Sequence, residues 1–157
     1  MTDPKLLRGM DFFDDLNDNQ LSVIAEVLSK KEYAAGDRVF TENEDGDSLY
    51  VIRKGEVKAC KTAPDGELLT LMVMKDGDIF GEMSFLDGRS RTATIIAMTD
   101  LEAYVIAKAD FEKLVDDNPR LIYKMLKSLV FHIHAIVRGM NTRYLEMVSY
   151  MWGRKRG

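Results

Sequence analysis

A chain of 157 residues is the length of about one domain, and with 46% apolar residues it can bury a core of its own. No run of about eighteen apolar residues occurs, the N-terminus lacks the basic flank and apolar stretch of a secretory leader, and Cys60 is the only cysteine; these exclude a spanning helix and an internal disulfide and point to the cytoplasm. The net charge of -4 conceals an asymmetry: from Arg120 onward eight Lys or Arg accompany the single acid Glu146, so the body before them is strongly acidic and ill suited to general nucleic-acid binding.

Residues 1–31 read as helical. Asn17 and Gln20 have the spacing of a capping box, ahead of Leu21, Ile24, Ala25 and Leu28 at helical intervals. Residues 32–107 read as β. Glycines at positions 36, 46, 55, 66, 77 and 88 recur about every ten residues, most beside Asp or Pro, as in Asp45-Gly46-Asp47 and Pro64-Asp65-Gly66. Gly and Asx tolerate the backbone angles that reverse a strand. Short apolar segments at 49–52, 57–60, 68–74, 92–97 and 101–106 fill the intervals, and short strands between evenly spaced turns imply a sandwich or barrel.

Residues 108–157 read as helical again, so the chain is one domain in three sections. A short helix is expected over 109–115, then a long one capped by Asn118 with Pro119 in its first position. Ile122, Leu126, Leu129, Ile133, Ile136, Met140, Tyr144, Met147 and Met151 step by three or four along it, with Gly139 as an expected hinge or break. A helix this long overruns a barrel of this size. A second copy is the economical cover for its outer stripe, so a homodimer is expected. The outer stripe, ending near Trp152, is also where an unknown protein effector would bind. The closing Arg154-Lys155-Arg156 reads as a solvated helix end.

One segment carries chemistry: Phe80-Gly81-Glu82-Met83-Ser84-Phe85-Leu86-Asp87-Gly88-Arg89-Ser90-Arg91-Thr92-Ala93-Thr94. A strand ends, a Gly permits a tight turn, a short helical turn follows, and an Arg opens the next strand. Backbone N–H groups at the start of a helical turn attract anions, and the planar guanidinium suits phosphate oxygens. Glu82 is a poor phosphate ligand but a good acceptor for a sugar hydroxyl beside one. The segment therefore reads as a ribose-phosphate site.

This stretch resembles the phosphate-binding cassette of the cyclic nucleotide-binding domain family, with Phe80-Gly81-Glu82 at its head and Arg91-Thr92-Ala93-Thr94 at its tail. The resemblance implies an eight-stranded antiparallel β-roll, jelly-roll-like, with N-terminal helices and a long C-terminal helix. It implies that the chain is a sensor of cAMP or cGMP, with no resident cofactor, that signals through that last helix. Arg91 is then expected to pair with the cyclic phosphate, with Ser84 and Thr92 donating to it. Glu82, helped by the Gly81 backbone, is expected to hold the ribose 2′-hydroxyl. Met83 and Ala93 belong to the same cassette, while Ala59, Leu71 and Met74 would line the base and sugar side. His132 and Ile136 fall where the family's C-terminal helix closes over the base. A degenerate copy of the fold, serving as an interaction module without ligand, is the alternative reading.

An enzyme is not expected. The only histidines, His132 and His134, lie outside the β section on different faces of one helix, so a metal site of the cupin kind lacks its ligands, and no nucleophile elbow occurs. A DNA-binding domain is not expected either, since the sequence ends at Gly157 with no helix-turn-helix after the long helix.

Overall fold

The computed structural model describes residues 1–153; the basic residues Arg154, Lys155 and Arg156 lie outside them. Two single 3-10 turns, Pro4–Leu7 and Asp11–Phe13, lead into α1 (Asp18–Val27). The capping box forms as read: Asn17 Oδ1 accepts from the Gln20 N–H at 2.9 Å, and Gln20 Oε1 accepts from the Asn17 N–H at 3.0 Å. Eight strands follow, in order β1 (Ser29–Tyr33), β2 (Arg38–Phe40), β3 (Ser48–Lys54), β4 (Val57–Thr62), β5 (Leu68–Met74), β6 (Ile79–Phe80), β7 (Thr94–Ala97) and β8 (Leu101–Ala107). The helix α2 (Glu82–Asp87) interrupts them between β6 and β7, and α3 (Lys108–Lys113) and α4 (Pro119–Gly153) close the chain. The β section therefore starts at Ser29, straddling the junction expected at residue 31.

The strands form two antiparallel four-stranded sheets, ordered β1-β8-β3-β6 and β2-β7-β4-β5. The first is covered on both faces. Leu49, Val51, Tyr104 and Ile106 pack outward on Leu21, Ile24, Phe111, Leu121 and Met125 of the helices, whereas Tyr50, Ile52, Ala103 and Val105 face the inside of the roll. Alternate side chains of one strand reach opposite cores, which is why 49–52 and 101–106 are continuous apolar runs. The second sheet has one face open to solvent and edge strand β5, where Leu69, Leu71 and Val73 are exposed.

In β5 the register shifts by one residue: Met72 pairs with Ala59 and Thr70 with Cys60, leaving Leu71 without a partner. Such a bulge bends the strand and re-aims its side chains. Both Leu71 and Met72 line the same cavity as a result.

Gly139 does not break the last helix, which runs unbroken from Pro119 to Gly153. A single Gly costs a helix only about 1 kcal/mol relative to Ala, too little to stop one of this length. The apolar stripe read along it divides. Ile122 and Leu129 are buried, Ile133 packs on the helical core and Ile136 lines a cavity, but Leu126, Met140, Tyr144, Met147 and Met151 are exposed. The exposed members align with Tyr123, Val130 and Val137, which lie outside the stripe read from the sequence. Tyr123, Val130, Val137, Tyr144 and Met151 recur every seven residues, with Leu126, Met140 and Met147 three behind.

Candidate binding site

The site begins with a left-handed glycine. Gly81 (φ 80°) ends β6 and starts α2; a Cβ there would meet the Ser48 carbonyl oxygen at 2.7 Å and Arg91 Nη1 at 2.8 Å. Only glycine has both the angle and the room. The first backbone N–H groups of α2 have no acceptor within the helix, and Ser84, in that first turn, is 2% exposed.

Arg91 is buried at 5% exposure. Its Nη1 donates to the carbonyl oxygens of Ser48 at 3.0 Å and Gly81 at 3.2 Å, which joins the end of β6 to the start of β3. Its guanidinium carbon lies 4.1 Å from the centroid of Phe40, a cation–π contact. Phe40 leans on Tyr50 and Phe80, which are themselves stacked at 4.8 Å. The Arg91 backbone is held as firmly: its N–H donates to the Glu44 carbonyl, and its carbonyl accepts from the Asn43 N–H, both at 2.8 Å. Gly46 of the same loop sits so close that any Cβ there would collide with Nε and the guanidinium carbon. Arg91 Nε is buried with no hydrogen-bond partner among the described residues. An unpaired buried donor on a guanidinium is costly unless an acceptor arrives.

Burial pulls the Arg91 guanidinium below its ordinary value, while Tyr50, Asp47, Glu82 and Glu44 pull it back up. Arginine remains a cation through such shifts. Burial likewise raises the Glu82 carboxyl above the usual carboxylate range, against its own backbone N–H and Arg91, which lower it.

A cavity of about 440 Å³ opens beside these groups. At one end lie Gly81, Glu82, Met83, Ser84, Arg91, Thr92 and Ala93, and at the other Ala59, Leu71, Met74 and Ile136, so eleven residues named from the sequence share one space. His132 does not join them. It lines a smaller neighbouring cavity, its Nδ1 lies 2.9 Å from the Ser128 carbonyl oxygen, and its ring packs edge-on to Phe12 at 5.5 Å. The structure adds Phe40, Lys61, Met72, Met140 and Arg143 to the lining. Phe40, Lys61 and Met72 carry no local motif. Met140 was legible as apolar and helical, but its place over the roll depends on how α4 docks.

Chemically, one end offers a fixed cation, helix-turn amides, hydroxyls and a carboxylate, and the other offers apolar walls. That combination suits an anionic sugar-phosphate carrying a flat apolar-faced group. Among the described residues, no helix is long and apolar enough to cross a membrane, and no group of three His, Cys, Asp or Glu is placed to hold a metal ion.

Comparison with known proteins identifies the family. The family model for the cyclic nucleotide-binding domain matches residues 30–118. A CRP-like cAMP-activated global transcriptional regulator of Mycobacterium tuberculosis is 29% identical over 125 residues, 80% of this chain and 56% of its own length. A cAMP-dependent protein kinase regulatory subunit of Yarrowia lipolytica is 32% identical over 109 residues, 69% of this chain and 28% of its own. This chain thus spans about half or less of the length of these relatives. The crystal structure of a cyclic nucleotide-binding domain from Methylobacillus flagellatus superposes with a TM-score of 0.81 at 25% identity, covering 91% of this chain and 80% of the other. With the cassette, the roll and these likenesses in agreement, the chain belongs to the cyclic nucleotide-binding domain family.

Proposed function

We propose that the protein is a sensor of a cyclic mononucleotide, cAMP or cGMP, and that it acts as a regulatory module rather than an enzyme. The observation that carries this reading is the buried Arg91, fixed through two carbonyls and an aromatic face, across the head of α2 from Glu82. The cyclic phosphate would take the Arg91 guanidinium with the amides and hydroxyls of Ser84 and Thr92. The ribose 2′-hydroxyl would donate to Glu82, and the base would lie among Ala59, Leu71, Met74 and Ile136. The presence of both Glu82 and Arg91 argues against a degenerate interaction module.

Signalling would run through α4. Its Ile136 and Met140 wall the cavity, while its other face carries the exposed seven-residue row from Tyr123 to Met151. Seven-residue spacing is the pattern of a two-helix supercoil, and a second copy of the chain is its proposed partner. Ligand would then favour one position of α4 only by the difference in its affinity for the two positions. The effector that reads the change acts, on this proposal, in the cytoplasm.

A thermal-shift screen against cAMP, cGMP and cyclic dinucleotides tests the reading. A ligand present at one hundred times its Kd adds about 2.7 kcal/mol of stability. A mononucleotide that raises Tm of the wild type but not of Arg91→Ala is expected; no shift with any of them would refute the proposal.

A further inference from the structure

The base end of the cavity is apolar apart from two cations, Lys61 and Arg143. They are not equivalent. Lys61 Nζ is committed to the Glu42 carboxylate at 3.1 Å, and Glu42 is itself anchored by the Thr62 N–H at 3.0 Å. Arg143 makes one weak bond, from Nε to the Gly139 carbonyl of the preceding turn at 3.4 Å, and no carboxylate pairs with it among the described residues. Its terminal guanidinium nitrogens therefore have no partner among the described residues.

Its position is set by the helix. Ile136, Met140 and Arg143 are spaced four and three apart, so they share one face of α4, and all three line the cavity. Arg143 also lines the adjoining smaller cavity together with Met72, Val73 and Met74 of β5. It thus reaches the β5 side of the space, where the base is proposed to sit.

An arginine offers only donors, in a planar fork. Guanine presents two adjacent acceptors, O6 and N7, which match that fork; adenine presents the N7 acceptor beside the N6 amino donor, which opposes it. Resting on the nucleotide-sensor reading above, we infer that Arg143 reads the purine edge and makes this site selective for cGMP over cAMP. Glu82 and Arg91 bind what the two messengers share. Arg143 binds where they differ.

Calorimetric titration of the full chain with cGMP, cAMP and cyclic IMP tests this. Cyclic IMP keeps O6 and N7 but lacks the guanine 2-amino group. The wild type is expected to bind cGMP and cyclic IMP within a few-fold of each other, and both at least about 10-fold tighter than cAMP. Arg143→Ala should lose about 10-fold or more for cGMP and cyclic IMP and stay within about twofold for cAMP. Arg143→Lys, a point charge without the fork, should restore little of the preference. Since Arg143 is exposed, its variants should keep the wild-type Tm. Equal affinity of the wild type for cAMP and cGMP, or a loss in Arg143→Ala shared by both, would overturn the inference and leave the sensor reading standing. Cyclic IMP binding as weakly as cAMP would assign selectivity to the 2-amino group and overturn it too. Failure of all three ligands to bind the wild type would overturn both.

Discussion

The phosphate end of the cavity comes from β6, α2 and the segment 91–93 that leads into β7 rather than opening it, backed by one loop, whereas the base end is gathered from β4, β5 and α4, far apart along the chain. At the first end Arg91 is held by backbone, through the Ser48 and Gly81 carbonyls and the loop at Asn43 and Glu44, and α2 starts at a glycine whose angle and room no other residue matches. At the second end the walls are side chains, several of them unbranched Met, on an edge strand and on one face of α4. A preorganised anion site beside an adaptable apolar wall separates two tasks. On the proposed reading, the fixed end would supply affinity for a cyclic phosphate, and the apolar end would supply choice of base and a means of reporting occupancy.

The comparison predicts the size of each defect. The largest belongs to Arg91→Ala. Each charge-assisted bond lost to a buried phosphate costs about 1.5–3 kcal/mol, so affinity measured by calorimetry should fall roughly 100-fold or more. Gly46→Ala should produce a milder form of the same defect, about 10-fold, because its Cβ would displace the Arg91 guanidinium without removing it. A Gly46→Ala protein binding with wild-type affinity would show that the loop does not position the arginine.

Glu82→Gln comes next, at about 10-fold, and it carries a pH signature. The ionised carboxylate is the stronger acceptor for the ribose hydroxyl, and burial raises its pKa, so its proton returns at a higher pH than for an exposed glutamate. Wild-type affinity should therefore weaken as pH falls toward the carboxylate range, beginning above the usual glutamate value, and Glu82→Gln should lack that limb. A 2′-deoxy ligand should bind both proteins alike. The smallest effect is expected at the apolar end, where Leu71→Ala removes contact from a side chain already 53% exposed and should cost only a few-fold. A loss there equal to that of Arg91→Ala would erase the distinction between the two ends.

The same division governs what the sequence reveals. The cassette was legible because thirteen consecutive residues, 80–92, contain the turn glycine, the carboxylate, the helical turn and the arginine in order. The Gly-Asp spacing likewise located most of the turns, and the capping box located α1. Phe40 and Lys61 were not legible, because their roles depend on pairings across the roll: β2 on β7, and β4 on β5. The apolar stripe of α4 is legible in the sequence, but only as one face. Its period fits both a surface packed on the roll and a seam facing outward, and only the docking of Ile122, Met125 and Leu129 separates them. Distance from Pro119 puts His132 over the base, yet at that point the helix turns it toward Phe12 and away from the larger cavity.

A crystal structure of the protein grown with cGMP tests the central claim most directly. The account predicts the cyclic phosphate within about 3 Å of the Arg91 guanidinium and the α2 amides, with the ribose 2′-hydroxyl on Glu82 and the base between Leu71 and Ile136. A phosphate bound elsewhere, or a cavity still empty at saturating nucleotide with Arg91 keeping only its carbonyl and aromatic partners, would contradict it.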